Sequence, residues 1–213
     1  MNNYLKNLKT LENGHVYSKN MEHDACGVGL IASTEGKKLR KVVEYGINAL
    51  KAVFHRGAVD ADGKTGDGAG IHLEIPSDFF KEKIELTGHK HDDSEICVGM
   101  IFLPRNNYEA QENARTLVES ELTKSNFNIY GWRQVPVNTK VLGDKANFTR
   151  PEITQVLFKN NDKKIIGKEL ERKLYESRRK IEKEAIKISL EGFYICSLSS
   201  KSIIYKGMFL AES

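Results

Sequence analysis

Of the three cysteines in this 213-residue chain, Cys26 has the surroundings that invite chemistry. It stands between Ala25 and Gly27 in the stretch EHDACGVGLIAS, behind a leader of 25 residues. Two readings are open. A thiol among small residues can be a compact buried hydrophobe. It can also be a nucleophile set free by cleavage of the Ala25–Cys26 bond. In that case Cys26 gains a free α-amine within reach of its own thiol. An α-amine has an ordinary pKa of about 7.7–8.0, so it can take the thiol proton near neutrality. The thiolate could then attack an amide carbonyl, expel ammonia and leave a thioester for water to resolve. Cys97 and Cys196 sit in apolar runs, where a thiol stays inert.

The second constellation is HRGAVDADGKTGDGAG, residues 55–70. Its GKT at 63–65 invites a phosphate-loop reading, which needs four residues between the glycines and a strand-to-helix context. Here five residues separate Gly57 from Gly63, with a helical pattern before and a strand pattern after. GDGAG at 66–70 is no dinucleotide fingerprint either, because no helix start follows to hold a pyrophosphate. Asp60, Asp62 and Asp67 could in principle hold a metal, but the spacing lacks the Glu that closes an EF-hand loop. No Cys or His pair has zinc spacing, so no metal site is expected. Arg56 reads equally as a cation pairing with carbonyls or a carboxylate and as an ordinary helix-end charge. His55 reads as structural. Asp67 and Gly68 open the next strand, whose glycines would allow close packing against the strand of Cys26.

The elements that must position these groups follow from periodicity. Residues 26–32 alternate as a buried strand. Apolar residues over 37–54 recur at helical spacing and end at Gly57. A loop covers 58–70, and a strand ends at Pro76. A short helix over 77–88 has Ser77 or Asp78 as candidate cap. Further strands are expected at 96–104, 127–137 and 153–158, with helices over 106–126 and 165–188. Glu169 with Lys173 and Glu176 with Lys180 are favourable i,i+4 pairs on the last helix. Two final strands around Lys201 read as a hairpin. Paired strands with helices between the pairs indicate an α+β sandwich of sheets covered by helices.

Composition narrows the function class. With 39% apolar and 29% charged residues, the chain reads as a soluble globular one. Its net charge of +4 is spread along the chain, unlike the clustered basic surface that nucleic acid requires. No run approaches the roughly 18 apolar residues of a membrane span. Nor has the leader a signal-peptide core, so a cytoplasmic location is expected.

DACGVGLIA followed by ALKAVFHRGAVDADGKTGDGAGI resembles the start of the glutamine amidotransferase domain of glutamate synthase large subunits. In that family a propeptide ends at a Cys-Gly-x-Gly strand, and a helix leads into His-Arg-Gly and Asp-Gly-Lys-Thr-Gly-Asp-Gly. SLSSKSIIYKGM resembles a later strand pair of the same domain, so the likeness runs from about residue 20 to the end. The resemblance implies an Ntn-hydrolase-like four-layer αββα sandwich, here incomplete at the C-terminus. It divides the chain into a propeptide, 1–25, and the N-terminal part of the amidotransferase domain, 26–213.

It also implies Cys26 as nucleophile, Ala25–Cys26 as the processed bond, and His55, Arg56 and Gly57 as a segment close behind the nucleophile. Glutamine would become glutamate, and its ammonia would pass to a separate synthase region. There 2-oxoglutarate is reductively aminated with FMN and an iron–sulfur cluster, neither expected in this segment. Expected partners are glutamine, the remainder of the large subunit and a small subunit. The family's Asn-Gly oxyanion pair, its substrate-gripping Arg segment and the synthase region have no counterpart here. The chain is therefore expected to be a fragment, a split half or a truncated frame, inactive alone. Two alternatives stand beside this: another amidotransferase of the same nucleophile class, and a non-catalytic module with Cys26 unprocessed.

Overall fold

Near-continuous apolar strands and 3.6-residue periodicity along two long helices build the larger of two units. A computed structural model describes residues 2–14, 18, 27–53 and 58–212. The chain divides into Met1–Leu30 and Ile31–Ser213. In the first unit the leader forms a helix, α1 (Asn2–Asn13). Its end is closed by the amide of Gly14 donating to the Thr10 carbonyl at 3.0 Å.

The second unit runs α2 (Arg40–Ala52), β1 (Ala69–Glu74), α3 (Ser77–Glu85), β2 (Ile96–Leu103), α4 (Tyr108–Lys124) and β3 (Phe127–Gln134). It continues with α5 (Asp144–Thr149), β4 (Glu152–Asn160), α6 (Gly167–Lys187), β5 (Tyr194–Ser199) and β6 (Ser202–Gly207). Two antiparallel sheets result, one in the order β3-β4-β2-β5 and one made of β1 and β6.

Strand β2 is buried on both faces because its side chains alternate between two cores. Cys97, Ile101 and Leu103 face Ala114, Val118 and Leu122 of α4 and Leu170, Leu174 and Ile181 of α6. Val98 and Met100 face Phe80 and Ile84 of α3 and Ile203 of β6. Each fully buried Leu, Ile or Phe contributes about 1.5–3 kcal/mol over an exposed one. Strand β1 is half-buried in alternation. Helix α2 lies against this strand, where a Cβ at Gly46 would lie 3.6 Å from Ile71 Cδ1. Helices α4 and α6 thus cover one face of the four-stranded sheet, and α3 and the two-stranded sheet lie on the other. Two antiparallel sheets packed with helices agree with the α+β sandwich expected.

Four expectations are corrected. Residues 27–33 form no strand, and Val28 and Leu30 are 94% and 92% exposed. Gly27 and Gly29 leave one face without side chains, and no ladder offsets the entropy that glycine loses on ordering. The hairpin around Lys201 does not form either, since β5 and β6 belong to different sheets. Ser199 Oγ accepts from the amides of Lys201 and Ser202 at 2.9 and 3.1 Å. That side-chain capping turns the chain out of one sheet and into the other. Helix α3 starts after Pro76 with no side-chain cap. Finally, the i,i+4 ion pairs on α6 are Arg172–Glu176 and Arg178–Glu182, while Lys173 donates to Asn160 Oδ1 at 2.6 Å.

Candidate active site

Residues 58–67 fold into a narrow loop closed at its base by a carboxylate. Asp67 Oδ2 accepts from the Ala58 amide at 2.8 Å, and the Asp67 amide donates to the Ala58 carbonyl at 3.3 Å. Val59 bridges to Gly66, and the Asp60 amide donates to the Thr65 carbonyl at 2.9 Å. Gly63, at a φ of +69°, makes the tip turn without Cβ strain.

The aspartates are occupied by the loop itself. Asp62 Oδ1 accepts from the amides of Lys64 and Thr65 at 2.9 and 2.7 Å, and its Oδ2 accepts from Thr65 Oγ at 2.5 Å. These bonds, the Thr65 hydroxyl foremost, hold the Asp62 carboxyl down to about 2. Asp60 Oδ2 accepts from Lys145 Nζ at 2.8 Å, which lowers the pKa of Asp60 and raises that of Lys145. The three carboxylates that could have invited a metal are therefore spent on backbone amides, a hydroxyl and a lysine. Among the described residues no group of three or more His, Cys, Asp or Glu converges as metal ligands.

The glycines of GDGAG pack against β6 and the residues just beyond its end. A Cβ at Gly66 would lie 2.8 Å from the Phe209 carbonyl oxygen, and one at Gly70 2.9 Å from that of Tyr205. Gly68, at φ +118°, sits 3.3 Å by the same measure from the Gly207 oxygen. Close packing was expected there, but against the strand of Cys26 rather than β6. Asp67 and Gly68 are thus placed at the start of β1. Ala25, Cys26, His55, Arg56 and Gly57 lie outside the described residues.

Cys97 and Cys196 are buried on opposite faces of the four-stranded sheet, and burial pushes both thiols up. Neither is poised to react. A cleft of about 790 Å³ opens at the far, Glu74 end of β1, lined in part by Ser77, Lys81, Glu95 and Lys201. Its charges are mixed, and Lys38 already pairs with Glu74 at 2.8 Å.

Sequence reasoning missed α5 and the contact it makes. Thr65, 3% exposed, reaches the Ala146 amide at 3.4 Å, and Gly143 backs onto the Asp62 carboxylate and the Thr65 hydroxyl. The available signal was Gly-Asp at 143–144 before a short run stopped by Pro151.

The family model of class-II glutamine amidotransferases matches residues 26–213. The chain belongs to the class-II glutamine amidotransferases. It is 54% identical over 206 residues to the NADPH glutamate synthase large chain of Azospirillum brasilense, covering 97% of this chain and 14% of that protein. It is 40% identical over 188 residues to ferredoxin-dependent glutamate synthase 2 of Synechocystis sp., covering 88% of this chain and 12% of that one. The chloroplastic ferredoxin-dependent enzyme of Spinacia oleracea is 38% identical over 193 residues, again covering 12% of its own length. The chain thus spans about one-seventh or less of these relatives. No helix among the described residues is long and apolar enough to cross a membrane.

Proposed function

We propose that this chain is the glutamine-hydrolysing part of a glutamate synthase large chain. The observation that carries the reading is 54% identity over 97% of the chain, joined to a family match that begins at Cys26. Residues 1–25 are a propeptide, and their removal gives Cys26 its free amine. The Cys26 thiol passes its proton to that amine, and the thiolate adds to the side-chain amide carbon of glutamine. The carbon–nitrogen bond breaks, ammonia leaves with the proton, and water cleaves the thioester to glutamate and free thiol. His55, Arg56 and Gly57 support the nucleophile, and Asp67 and Gly68 fix the loop that continues from them.

The ammonia is consumed in the cytoplasm by reductive amination of 2-oxoglutarate in the remainder of the large chain, with a small subunit as further partner. FMN and an iron–sulfur cluster supply the electron chemistry of that step. The residues of this chain do not fit the cluster: it has three cysteines, two of them buried on opposite sheet faces, where a cluster takes four thiolates. Relatives are named for NADPH or for ferredoxin as donor.

Steady-state ammonia release from glutamine tests the reading in the protein that carries this chain. Cys26→Ala should lower it by about 10³-fold or more, as loss of a covalent nucleophile does. Release at the unsubstituted rate contradicts the proposal.

A further inference from the structure

Two histidines in the loop between α3 and β2 are wired in opposite senses. His91 Nε2 lies 2.9 Å from the Ser94 carbonyl oxygen, and the Asp93 amide donates to His91 Nδ1 at 3.2 Å. A carbonyl only accepts and an amide N–H only donates, so Nε2 carries the proton and Nδ1 keeps its lone pair. The ring therefore staples the 91–94 bend only as neutral imidazole. An imidazolium has no lone pair left for the Asp93 amide. At His89 the direction is reversed. The Thr87 hydroxyl gives its one proton to the Ile84 carbonyl at 2.7 Å, so toward His89 Nδ1, 3.0 Å away, it accepts. His89 can take a second proton on Nε2 with that bond intact.

The bend has a second fastening, which does not respond near neutrality. Asp92 accepts from Lys159 Nζ at 2.7 Å and from the Ser94 hydroxyl at 2.6 Å, and Lys163 pairs with it at 3.3 Å. These partners, Lys159 foremost, hold the Asp92 carboxyl far below the usual carboxylate range. Asp93, between the two fastenings, sits at a φ of +61°, a left-handed conformation that costs a residue with a side chain. Charges reach the His91 ring from several elements. Asp92, Asp93 and Glu95 belong to its own loop. Tyr130 of β3 lies 6.4 Å from it, ring to ring, and Lys159 of β4 stands over the same tyrosine at 5.7 Å. His91, Asp93 and Ser94 line the cleft at the Glu74 end of β1, together with Lys38, Glu74, Lys81 and Lys201. We propose that His91 is a proton-operated latch on the wall of that cleft. Neutral, it closes the 91–94 bend. Protonated, it lets the Asp93 amide go, so that Asp93 can leave its positive φ and the bend hangs on Asp92 alone.

The test is hydrogen exchange of the Asp93 amide in the full-length protein that carries this chain, read by mass spectrometry and corrected for intrinsic rates. Lowering the pH from about 8 to about 5, the range in which imidazoles take up a proton, should speed it about three- to tenfold, the worth of one hydrogen bond. The Lys64 and Thr65 amides, which rest on the Asp62 carboxylate, should stay flat in the same samples. His91→Gln cannot titrate and should exchange at one corrected rate throughout. His89→Gln should keep the step, because the His89 ring holds its bond in either charge state. Corrected exchange at Asp93 that ignores pH in the unsubstituted protein overturns the proposal. So does a step that survives in His91→Gln, a step lost in His89→Gln, or a rise shared equally by Lys64 and Thr65, which would be general loosening. The glutamine-hydrolysing function stands or falls separately.

Discussion

Asp62 shows how a single carboxylate can tie a loop down while remaining at the surface. It takes two backbone amides and one hydroxyl, and its pKa falls from the ordinary 3.8 to about 2. Because the folded value is the lower one, the carboxylate's contribution is complete above 3.8 and is lost as pH falls toward about 2. Amide hydrogen exchange at Lys64 and Thr65, corrected for intrinsic rates, should stay flat between about pH 7 and about pH 5. It should then rise steeply on further acidification. Asp62→Asn should exchange faster throughout and lose the acid step; protection undiminished in strong acid would falsify the assignment. At this scale the sequence was partly legible. Cys26 lies outside the described residues, and the Asp67–Gly68 strand opening stands out because its neighbours are small and repeated. Thr65 with Gly143 did not, because a contact between two distant loops leaves no local period.

The helices and strands obey packing rules that the sequence states in its own pattern. Strand β2 reads as an unbroken apolar run and is buried on both faces, and α4 and α6 carry their core residues at helical spacing. These elements were legible because length and period agree. Helix α5 was not, since six residues are too few for a period to register. The β5–β6 turn was misread because its length suits a hairpin, whereas the Ser199 hydroxyl bends it between sheets. Gly99 in β2 marks where the central strand is tightest. A Cβ there would lie 2.6 Å from Val156 Cγ1 and 2.8 Å from Leu198 Cδ1. Gly99→Ala should therefore destabilise the fold by about 1–3 kcal/mol through overpacking, despite the entropy gained in the unfolded chain. Chemical denaturation measures it, and a midpoint equal to or above that of the parent would show that the two side chains yield freely.

On the largest scale, the Ile31–Ser213 unit is a frame of two packed sheets with α4 and α6 over one face. The loop at 58–67 and the start of β1 are held against that frame by glycine contacts and carboxylate caps. The family match begins at Cys26 and covers the frame, so the proposed nucleophile and the frame fall within one family unit. The proposed removal of residues 1–25 as a propeptide is the step on which the proposed chemistry depends. Intact-mass spectrometry of the protein after exposure to an electrophilic glutamine analogue tests it directly. The predicted result is loss of residues 1–25 and one adduct on Cys26. Cys97 and Cys196 should stay unmodified, because both are buried and their thiols are pushed up. A chain that retains residues 1–25, or carries equal label on all three cysteines, contradicts the assignment of Cys26 as an N-terminal nucleophile.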